Sequence, residues 1–240
     1  MRILFDIGNT NVKVNTDGQT SFYSNDSLKK SLPLSLPNIS DEVVAYISSV
    51  NKDAFEIVKE ILIDKYCHKL TLNKIGPLNT KSITYIDESM KEELGSDIYF
   101  ALNSSIKYSK TFLNIDFGTA LTFNLVIDSK YTGCAIVPGV YTSYNALISK
   151  ASLLKDVELS NENVKPLGLN TKEAITSGII QGYASLVDEH IKRIKEEYKL
   201  DNLDIYATGG AYNLISKYLK TKVIYKEDLV FSGMLNIIGE

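Results

Sequence analysis

The chain has 240 residues, of which 26 are basic and 29 acidic, so its formal net charge is −3. A charge so close to zero provides no strong positive field for a polyanion, and we expect no nucleic-acid partner. Hydrophobic residues make up 44% of the chain, enough for a sizeable core, but no apolar stretch approaches the ~20 residues that span a bilayer. The two cysteines form no C-x-x-C pair, which favours a reducing compartment, so we expect a cytoplasmic protein without membrane contact.

Apolar runs and turn residues predict the elements of the first half of the chain. A buried strand comes first, and a turn of glycine, asparagine and threonine leads from it into two further strands. Helical spacing of apolar residues then alternates with short apolar runs. The predicted strands lie at 2–7, 12–15, 21–23, 43–48 and 69–73, and the predicted helices at 54–66 and 96–108.

The turn after the first strand has the composition of a phosphate site. It belongs to a segment that begins at Asp6 and reads D-I-G-N-T-N-V-K. Gly8 lets a phosphate approach the backbone N–H groups, and Asn9 and Thr10 add neutral donors. Lys13 supplies a compact positive charge, whereas Asp6 would hold a cation or its water because a carboxylate repels phosphate. Taken alone, the segment fits a plain hairpin equally well.

The second half of the chain opens with a similar strand–turn–strand unit. A strand at 112–116 ends in an acid, and a glycine turn leads into a return strand at 121–127. We therefore interpret the chain as an internal duplication with halves at 1–111 and 112–240. The other predicted elements are strands at 133–137, 203–207 and 223–225, and helices at 171–198, 211–219 and the C terminus. Strands that alternate with helices after a meander predict an α/β fold with mixed sheets.

Two segments of the second half could also bind a nucleotide. Asp116, Gly118 and Thr119 repeat the acid, glycine and hydroxyl order of the first turn. Gly209 and Gly210 lie between a predicted strand and a predicted helix, where a nucleotide can lie against the backbone and helix N–H groups. A hairpin turn and simple strand-to-helix punctuation are the structural alternatives.

Together these segments resemble the two phosphate motifs and the adenosine motif of the actin, sugar-kinase and heat-shock ATPase superfamily. The chain is similar to type III pantothenate kinases over essentially its whole length. Residues 6–13 fit D-x-G-N-T-x-x-K, 116–122 fit D-x-G-T-A-x-T, 133–139 fit G-x-I-x-P-G with one extra residue, and 170–178 fit N-T-x-x-A-[IV]-x-x-G. The resemblance implies a duplicated ribonuclease-H-like, actin-like fold, in which two mixed sheets are flanked by helices and ATP binds in a cleft between the halves.

The resemblance also implies an activity and its cofactors. The enzyme would phosphorylate pantothenate with ATP, the first step of coenzyme A biosynthesis. Mg²⁺ would accompany ATP and be held by Asp6 through water. A monovalent cation, K⁺ or NH₄⁺, would lie near Asp116.

The acceptor segment departs from the family pattern at one position. The family has G-x-D-R, whose Asp resembles a general base and whose Arg holds pantothenate, but this chain has Gly95, Ser96, Asp97 and Ile98. Isoleucine cannot make the fork-like contact of an arginine with a carboxylate. A small-molecule kinase with another acceptor and a nucleotide-binding regulator without turnover therefore remain alternatives. The dipole of the predicted helix could also account for the acid, and it is expected to lower the pKa of Asp97.

The long helix of the second half is expected to contribute to substrate binding and to dimerisation. It begins near Thr171, with Asn170 and Glu173 spaced as in a capping box. The resemblance implies that Thr171 contacts pantothenate and that the protein is a homodimer with this substrate near the subunit boundary. Gly178 and Gly182 form a strip without side chains, which could pack against a second subunit or against the chain's own sheet.

Overall fold

A computed structural model of the chain describes residues 1–39, 41–77, 83–151 and 157–239. The strands are β1 (Arg2–Ile7), β2 (Asn11–Thr16), β3 (Gln19–Ser24), β4 (Val43–Ser49), β5 (Leu70–Lys74), β6 (Thr84–Tyr85), β7 (Phe112–Phe117), β8 (Ala120–Ile127), β9 (Lys130–Pro138), β10 (Asp204–Thr208) and β11 (Ile224–Tyr225). The helices are α1 (Leu28–Ser35), α2 (Lys52–Tyr66), α3 (Met90–Glu93), α4 (Ser96–Ser105), α5 (Val140–Lys150), α6 (Thr171–Tyr198), α7 (Tyr212–Ile215) and α8 (Leu229–Ile238). Of the described helices, none is long and apolar enough to cross a membrane.

Contacts divide the chain into two compact units. The first consists of Met1–Tyr108, Ser129–Tyr131 and Asp228–Glu240, and the second of Ser109–Asp128 and Thr132–Glu227. The chain thus enters the second unit close to the boundary that the repeated strand–turn–strand pattern predicts. It returns to the first unit for its last helix.

The first unit is built on a sheet of order β3-β2-β1-β4-β5, in which β1 pairs antiparallel with β2 and parallel with β4. Side chains alternate between the two faces of a strand. Ile3, Phe5 and Ile7 join the core that α1 and α2 cover. Leu4 and Asp6 lie on the other face, where α8 contacts β1 and α4 contacts β4. The acid near the end of β1 is therefore on the same side of the sheet as α4.

Backbone contact holds α8 against α4. A Cβ atom at Gly233 would overlap the carbonyl group of Phe100, and Asn236 Nδ2 donates to the Asn103 carbonyl at 3.0 Å. The predicted halves, 1–111 and 112–240, therefore differ from the contact units mainly by α8. Periodicity shows that such an apolar helix must be buried, but not which unit buries it.

The second unit contains the strand order β11-β10-β7-β8-β9, with β7 antiparallel to β8 and parallel to β10. Leu113, Ile115 and Phe117 of β7 pack in one core with side chains of α6. Helix α6 begins with the predicted capping box. Asn170 Oδ1 accepts from the Glu173 N–H at 3.0 Å, and the Glu173 carboxylate accepts from Asn170 Nδ2 at 2.8 Å.

The structure contains every predicted strand and the predicted span of α6, but two helices are shorter than predicted. Helix α4 ends at Ser105 because the chain beyond it becomes exposed and polar. The helix predicted at 211–219 is one turn, α7, followed by a 3₁₀ turn at Ser216–Tyr218. Helices α1, α3 and α5 were not predicted. Pro33 interrupts the pattern of α1, and α5 is rich in tyrosine, serine and threonine, which are weak helix formers.

The packing of α8 on α4 gives a first testable prediction. Gly233→Ala should lower the free energy of unfolding by about 1–3 kcal/mol, because the added methyl group overpacks a backbone contact. Ser232→Ala is the matched control on the same helix and should change it by only about 0.5 kcal/mol. Thermal and denaturant unfolding measure both variants. Equal stability of the two would show that α8 does not lie against α4.

Candidate active site

The first predicted phosphate turn connects β1 to β2 and brings an acid and a lysine together. Asp6 and Lys13 are partners in the antiparallel register, and Lys13 Nζ lies 3.4 Å from Asp6 Oδ2. The Gly8 N–H donates to the Asn11 carbonyl at 2.9 Å, and a Cβ at Gly8 would be 3.1 Å from the same oxygen. The turn is therefore tight, with Asn9 and Thr10 exposed at its tip.

Asp6 is a buried carboxyl group in an unfavourable environment. Only 5% of the residue is exposed, and burial raises its pKa to about 6. The positive charge of Lys13 opposes this rise, and the negative charge of Asp97 adds to it. Desolvation is the largest of these effects, because a carboxylate loses more solvation in the interior than one lysine restores.

Asp97 lies in the first turn of α4, two residues after Gly95, the glycine that caps this helix. Its Oδ1 accepts a hydrogen bond from the Ile98 N–H at 2.8 Å. A Cβ at Gly95 would lie 2.6 Å from that oxygen, so a side chain at this position would displace the carboxylate. Burial raises the pKa of Asp97, against the lowering effects of the Ile98 N–H and of Lys13. The expectation that the helix would lower this pKa is therefore wrong, because desolvation outweighs the N–H groups of the first turn.

A buried pair of serines ties the start of α4 to the sheet. Ser48 is the register partner of Asp6 on the parallel strand β4. Its Oγ donates to Ser96 Oγ at 2.9 Å, and both residues are buried. This bond fixes the helix terminus that carries Asp97 beside the strand that carries Asp6. Ser48 could not be predicted, because a serine at the end of an apolar strand has no distinctive spacing.

In the second unit, Asp116 lies against Gly209 of the third motif, and Thr119 lies against Gly139. Gly209 has a φ of +98°, and a Cβ there would be 2.5 Å from Asp116 Oδ1. The Thr119 carbonyl accepts from the Gly139 N–H at 2.9 Å and from Thr142 Oγ1 at 2.6 Å. The second turn, the segment at 138–139 and the Gly209 turn therefore meet at one end of this sheet.

The third motif differs from its prediction in one respect. The helix after Gly210 is a single turn, and the N–H groups of Ala211 and Tyr212 at its start donate to the carbonyls of Phe117 and Gly209, so these two are not available to a ligand. Tyr212 of this turn stacks on Tyr225 with the ring centroids 4.6 Å apart, which fixes the turn against β11. A Cβ at Gly210 would meet no atom within 4 Å, so the described chain leaves space beside it.

Thr171 lies at the exposed start of α6, beside a cavity of about 540 Å³ in the second unit. Leu169 is 90% exposed there and Leu147 is 42% exposed. Gly178 and Gly182 are exposed, and an added Cβ at either would meet no described atom within 4 Å. Among the described residues, the glycine strip does not pack against the chain's own sheet.

The buried acids of the first unit have the chemistry of a cation site. The described ranges contain no group of three or more His, Cys, Asp or Glu residues that could hold a metal ion. The raised pKa values of Asp6 and Asp97 mean that their carboxylates lack compensating charge. A hard cation with its water would supply that charge, and Mg²⁺ is usually bound by one or two carboxylates and substrate phosphates. Asp116 is the corresponding oxygen donor of the second unit.

Comparisons with known proteins identify the family. The profile of the type III pantothenate kinase family matches residues 2–193. The type III pantothenate kinase of Pelagibacter ubique is 34% identical, over 98% of this chain and 97% of its own length. That of Thermosipho africanus is 30% identical, over 98% and 96%.

Solved structures show the same fold at lower identity. A Baf-family protein from Campylobacter jejuni has a TM-score of 0.63 at 20% identity, covering 98% of this chain and 96% of that one. The apo ParM protein of psk41 has a TM-score of 0.52 at 12% identity, covering 97% and 94%. The two mixed sheets flanked by helices are thus those of the actin-like ATPase fold, and the sequence matches show that the chain belongs to the type III pantothenate kinase family.

Proposed function

We propose that the chain transfers the γ-phosphoryl group of ATP to the primary hydroxyl of pantothenate, which gives 4′-phosphopantothenate, the first step of coenzyme A biosynthesis. The observation that carries this function is the arrangement of Asp97, Asp6 and Lys13 in a chain of this family. A carboxyl group of raised pKa lies within electrostatic range of a lysine and of a second acid at a glycine turn. Such a set can position phosphate and an acceptor hydroxyl together.

The phosphates of ATP would be bound by both turns. In the first unit, the turn from Gly8 to Thr10 offers the Asn9 N–H and hydroxyl and amide donors, and Lys13 offers positive charge. In the second unit, Thr119 would contact the phosphates and the backbone at Gly209 and Gly210 the nucleoside. Phosphoryl transfer through a loose transition state depends mainly on such positioning and charge.

Asp97 would orient the acceptor hydroxyl and take its proton. Burial raises the pKa of its carboxyl group, so its carboxylate is a stronger base than an exposed aspartate. The bond from the Ile98 N–H holds one carboxylate oxygen and leaves the other for the substrate. The positive charge of Lys13 lowers the pKa of Asp97 and so opposes part of the rise that burial causes.

Two cations complete the proposal. Asp6 would hold the Mg²⁺ of ATP through water, and Asp116 would lie beside a monovalent cation, K⁺ or NH₄⁺. These ions would neutralise phosphate charge and the negative charge of the two acids. Support comes from the burial of Asp6 with a single lysine partner and from the glycine that makes room for Asp116.

The acceptor pocket would include Gly95, Ser96, Ile98 and Thr171. Ile98 favours a second candidate function, a kinase of this family fold that acts on another small alcohol, because the arginine that would bind the pantothenate carboxylate is absent. An ATP-consumption assay with pantothenate and a panel of related alcohols separates the two. Turnover with pantothenate well above that with the other acceptors is the expected result.

The role of Asp97 can be tested against a matched acid. Asp97→Asn should lower kcat by about a hundredfold or more, because the proton acceptor is lost, while ATP binding changes little. Asp53 lies in the first turn of α2, and Asp53→Asn removes a similar helix-dipole contribution without touching the site. Steady-state kinetics and calorimetry measure both. If Asp97→Asn keeps activity within a few-fold, its carboxylate is only a helix-stabilising group.

Burial of Asp6 predicts how stability depends on pH. Its pKa rises from 3.8 to about 6 on folding, so this contribution to stability is fully present below about pH 4 and is lost as the pH rises through 6. Without nucleotide, Asp6→Asn should therefore stabilise the protein at pH 7.5, by about 3 kcal/mol at most, while abolishing turnover. Denaturant unfolding at pH 7.5 and 4.5 measures the difference, which should fall to about a third at the lower pH, because pH 4.5 still lies above the unfolded pKa of 3.8.

Lys13→Ala is the complementary variant. It should destabilise the protein at pH 7.5 by removing the charge that offsets buried Asp6, and it should have little effect in an Asp6→Asn background. Equal effects of Lys13→Ala in both backgrounds would mean that the 3.4 Å contact does not couple the two charges.

We also propose a homodimer whose interface includes the glycine strip of α6. The exposed leucines near Thr171 and the bare backbone at Gly178 and Gly182 support it, since contiguous exposed apolar surface often marks an interface. Sedimentation should give twice the chain mass of 26.7 kDa. Gly182→Arg should shift the protein to monomer, whereas Glu197→Arg, at the exposed far end of α6, should not. A wild-type species at the monomer mass would rule the dimer out.

A further inference from the structure

The carbonyl groups of the first phosphate turn are held by a residue outside the turn. Asn25 Nδ2 donates to the Gly8 carbonyl at 3.1 Å and to the Asn9 carbonyl at 2.9 Å. The backbone N–H of Asn25 donates to the Thr10 carbonyl at 3.0 Å. One residue therefore binds three successive carbonyl oxygens, those of all three residues of the turn.

The position of Asn25 explains how it reaches the turn. It directly follows β3, whose last residue, Ser24, pairs with the first residue of β2, Asn11. The end of β3 thus lies beside the turn that leads from β1 into β2. Both partners of the amide are acceptors, so only the NH₂ group can face them, and the amide orientation follows from the contacts.

Fixing the carbonyl oxygens also fixes the N–H groups. The C=O and N–H of a peptide unit point in opposite directions, so a turn whose carbonyls face Asn25 presents its N–H groups on the other side. The N–H of Asn9 donates no hydrogen bond within the described part of the chain, and Asn9 is exposed. That N–H is available to an anion.

The remaining atom of the amide shows that this arrangement is not optimised for stability alone. Asn25 Oδ1 is buried and has no hydrogen-bond partner among the described residues. A buried acceptor without a partner is unfavourable, and such exceptions in a native structure often accompany a functional role. The same amide orientation that leaves Oδ1 without a partner places the NH₂ group on the Gly8 and Asn9 carbonyls.

We propose that Asn25 is a positioning residue for ATP. It holds the Gly8, Asn9 and Thr10 carbonyls away from the ligand and thereby aims the Asn9 N–H of the turn at the phosphates. Without it, the peptide unit between Gly8 and Asn9 can rotate and present an oxygen to the phosphate, which repels it. The inference rests on the proposed ATP-dependent activity, and it assigns Asn25 no contact with the acceptor.

The test compares two asparagines of the same three-stranded meander. Asn25→Ala should raise the dissociation constant of Mg-ATP by about tenfold or more, because a hydrogen bond to a charged group contributes roughly that factor to affinity. Asn25→Asp should raise the dissociation constant of Mg-ATP further, because a carboxylate would face two carbonyl oxygens and repel them. Asn15 is the control: its side chain bonds to Thr20 and to the Gly18 N–H at the far end of the meander, and Asn15→Ala should leave ATP binding within twofold.

Calorimetry with Mg-ATP and no acceptor gives the dissociation constants, and steady-state kinetics give KM for each substrate. A positioning role predicts that KM for ATP rises while KM for pantothenate stays within twofold. Unchanged ATP binding in Asn25→Ala, or an equal loss in Asn15→Ala, overturns the inference. If Asn25→Ala does not fold, Asn25→Ser, which keeps one donor, is measured in the same way and should show an intermediate loss.

The two proposals can fail separately. If the wild-type protein binds Mg-ATP but does not phosphorylate pantothenate, the proposed activity is wrong, and the ATP dissociation constants still decide the role of Asn25. If the wild-type protein does not bind Mg-ATP, both are wrong. If it phosphorylates pantothenate and Asn25→Ala binds ATP normally, only the positioning role is wrong.

Discussion

The buried carboxyl group of Asp6 is the constraint on which the rest of the first unit depends. Its desolvation is only partly offset by Lys13, as its raised pKa shows. A buried carboxylate with too little positive charge beside it lowers the stability of the unliganded protein. It also raises the affinity for a ligand that carries a cation, because the ligand supplies the missing positive charge. The register of β1 and β2, the glycine turn between them and the placement of α4 together keep the acid buried beside Lys13 and within electrostatic range of Asp97.

Three positions of the site require glycine for the same physical reason: a side chain there would be too close to an oxygen atom. At Gly95 and Gly209 an added Cβ would lie 2.6 and 2.5 Å from a carboxylate oxygen, that of Asp97 or of Asp116. At Gly139 it would lie 2.6 Å from the Thr119 carbonyl oxygen. Each glycine is therefore fixed by an acid or a turn beside it. Substitution at these positions would move the functional group before it disturbed the core.

The sequence predicted the strands, helix α6 and the acid–glycine turns because local chemistry determines them. Alternation marks β1 and β2, and Asn170 with Glu173 marks the start of α6. Contacts between residues far apart in the sequence could not be predicted. No local pattern of residues indicates that Ser48 bonds to Ser96, 48 positions away, or that α8 packs on α4. The predicted direction of the pKa shift of Asp97 was wrong, because the sequence shows the position of Asp97 in a helix but not its burial.

Position 98 contributes to the site in two ways that do not depend on each other: through its backbone N–H and through its side chain. Asp97 is held by the backbone N–H of Ile98, and any residue except proline supplies that donor. An arginine at this position would add a side-chain contact with an acceptor carboxylate, but it would not be needed to orient Asp97. In the proposed mechanism, isoleucine at this position would alter acceptor recognition and leave in place the hydrogen bond that holds the Asp97 carboxylate.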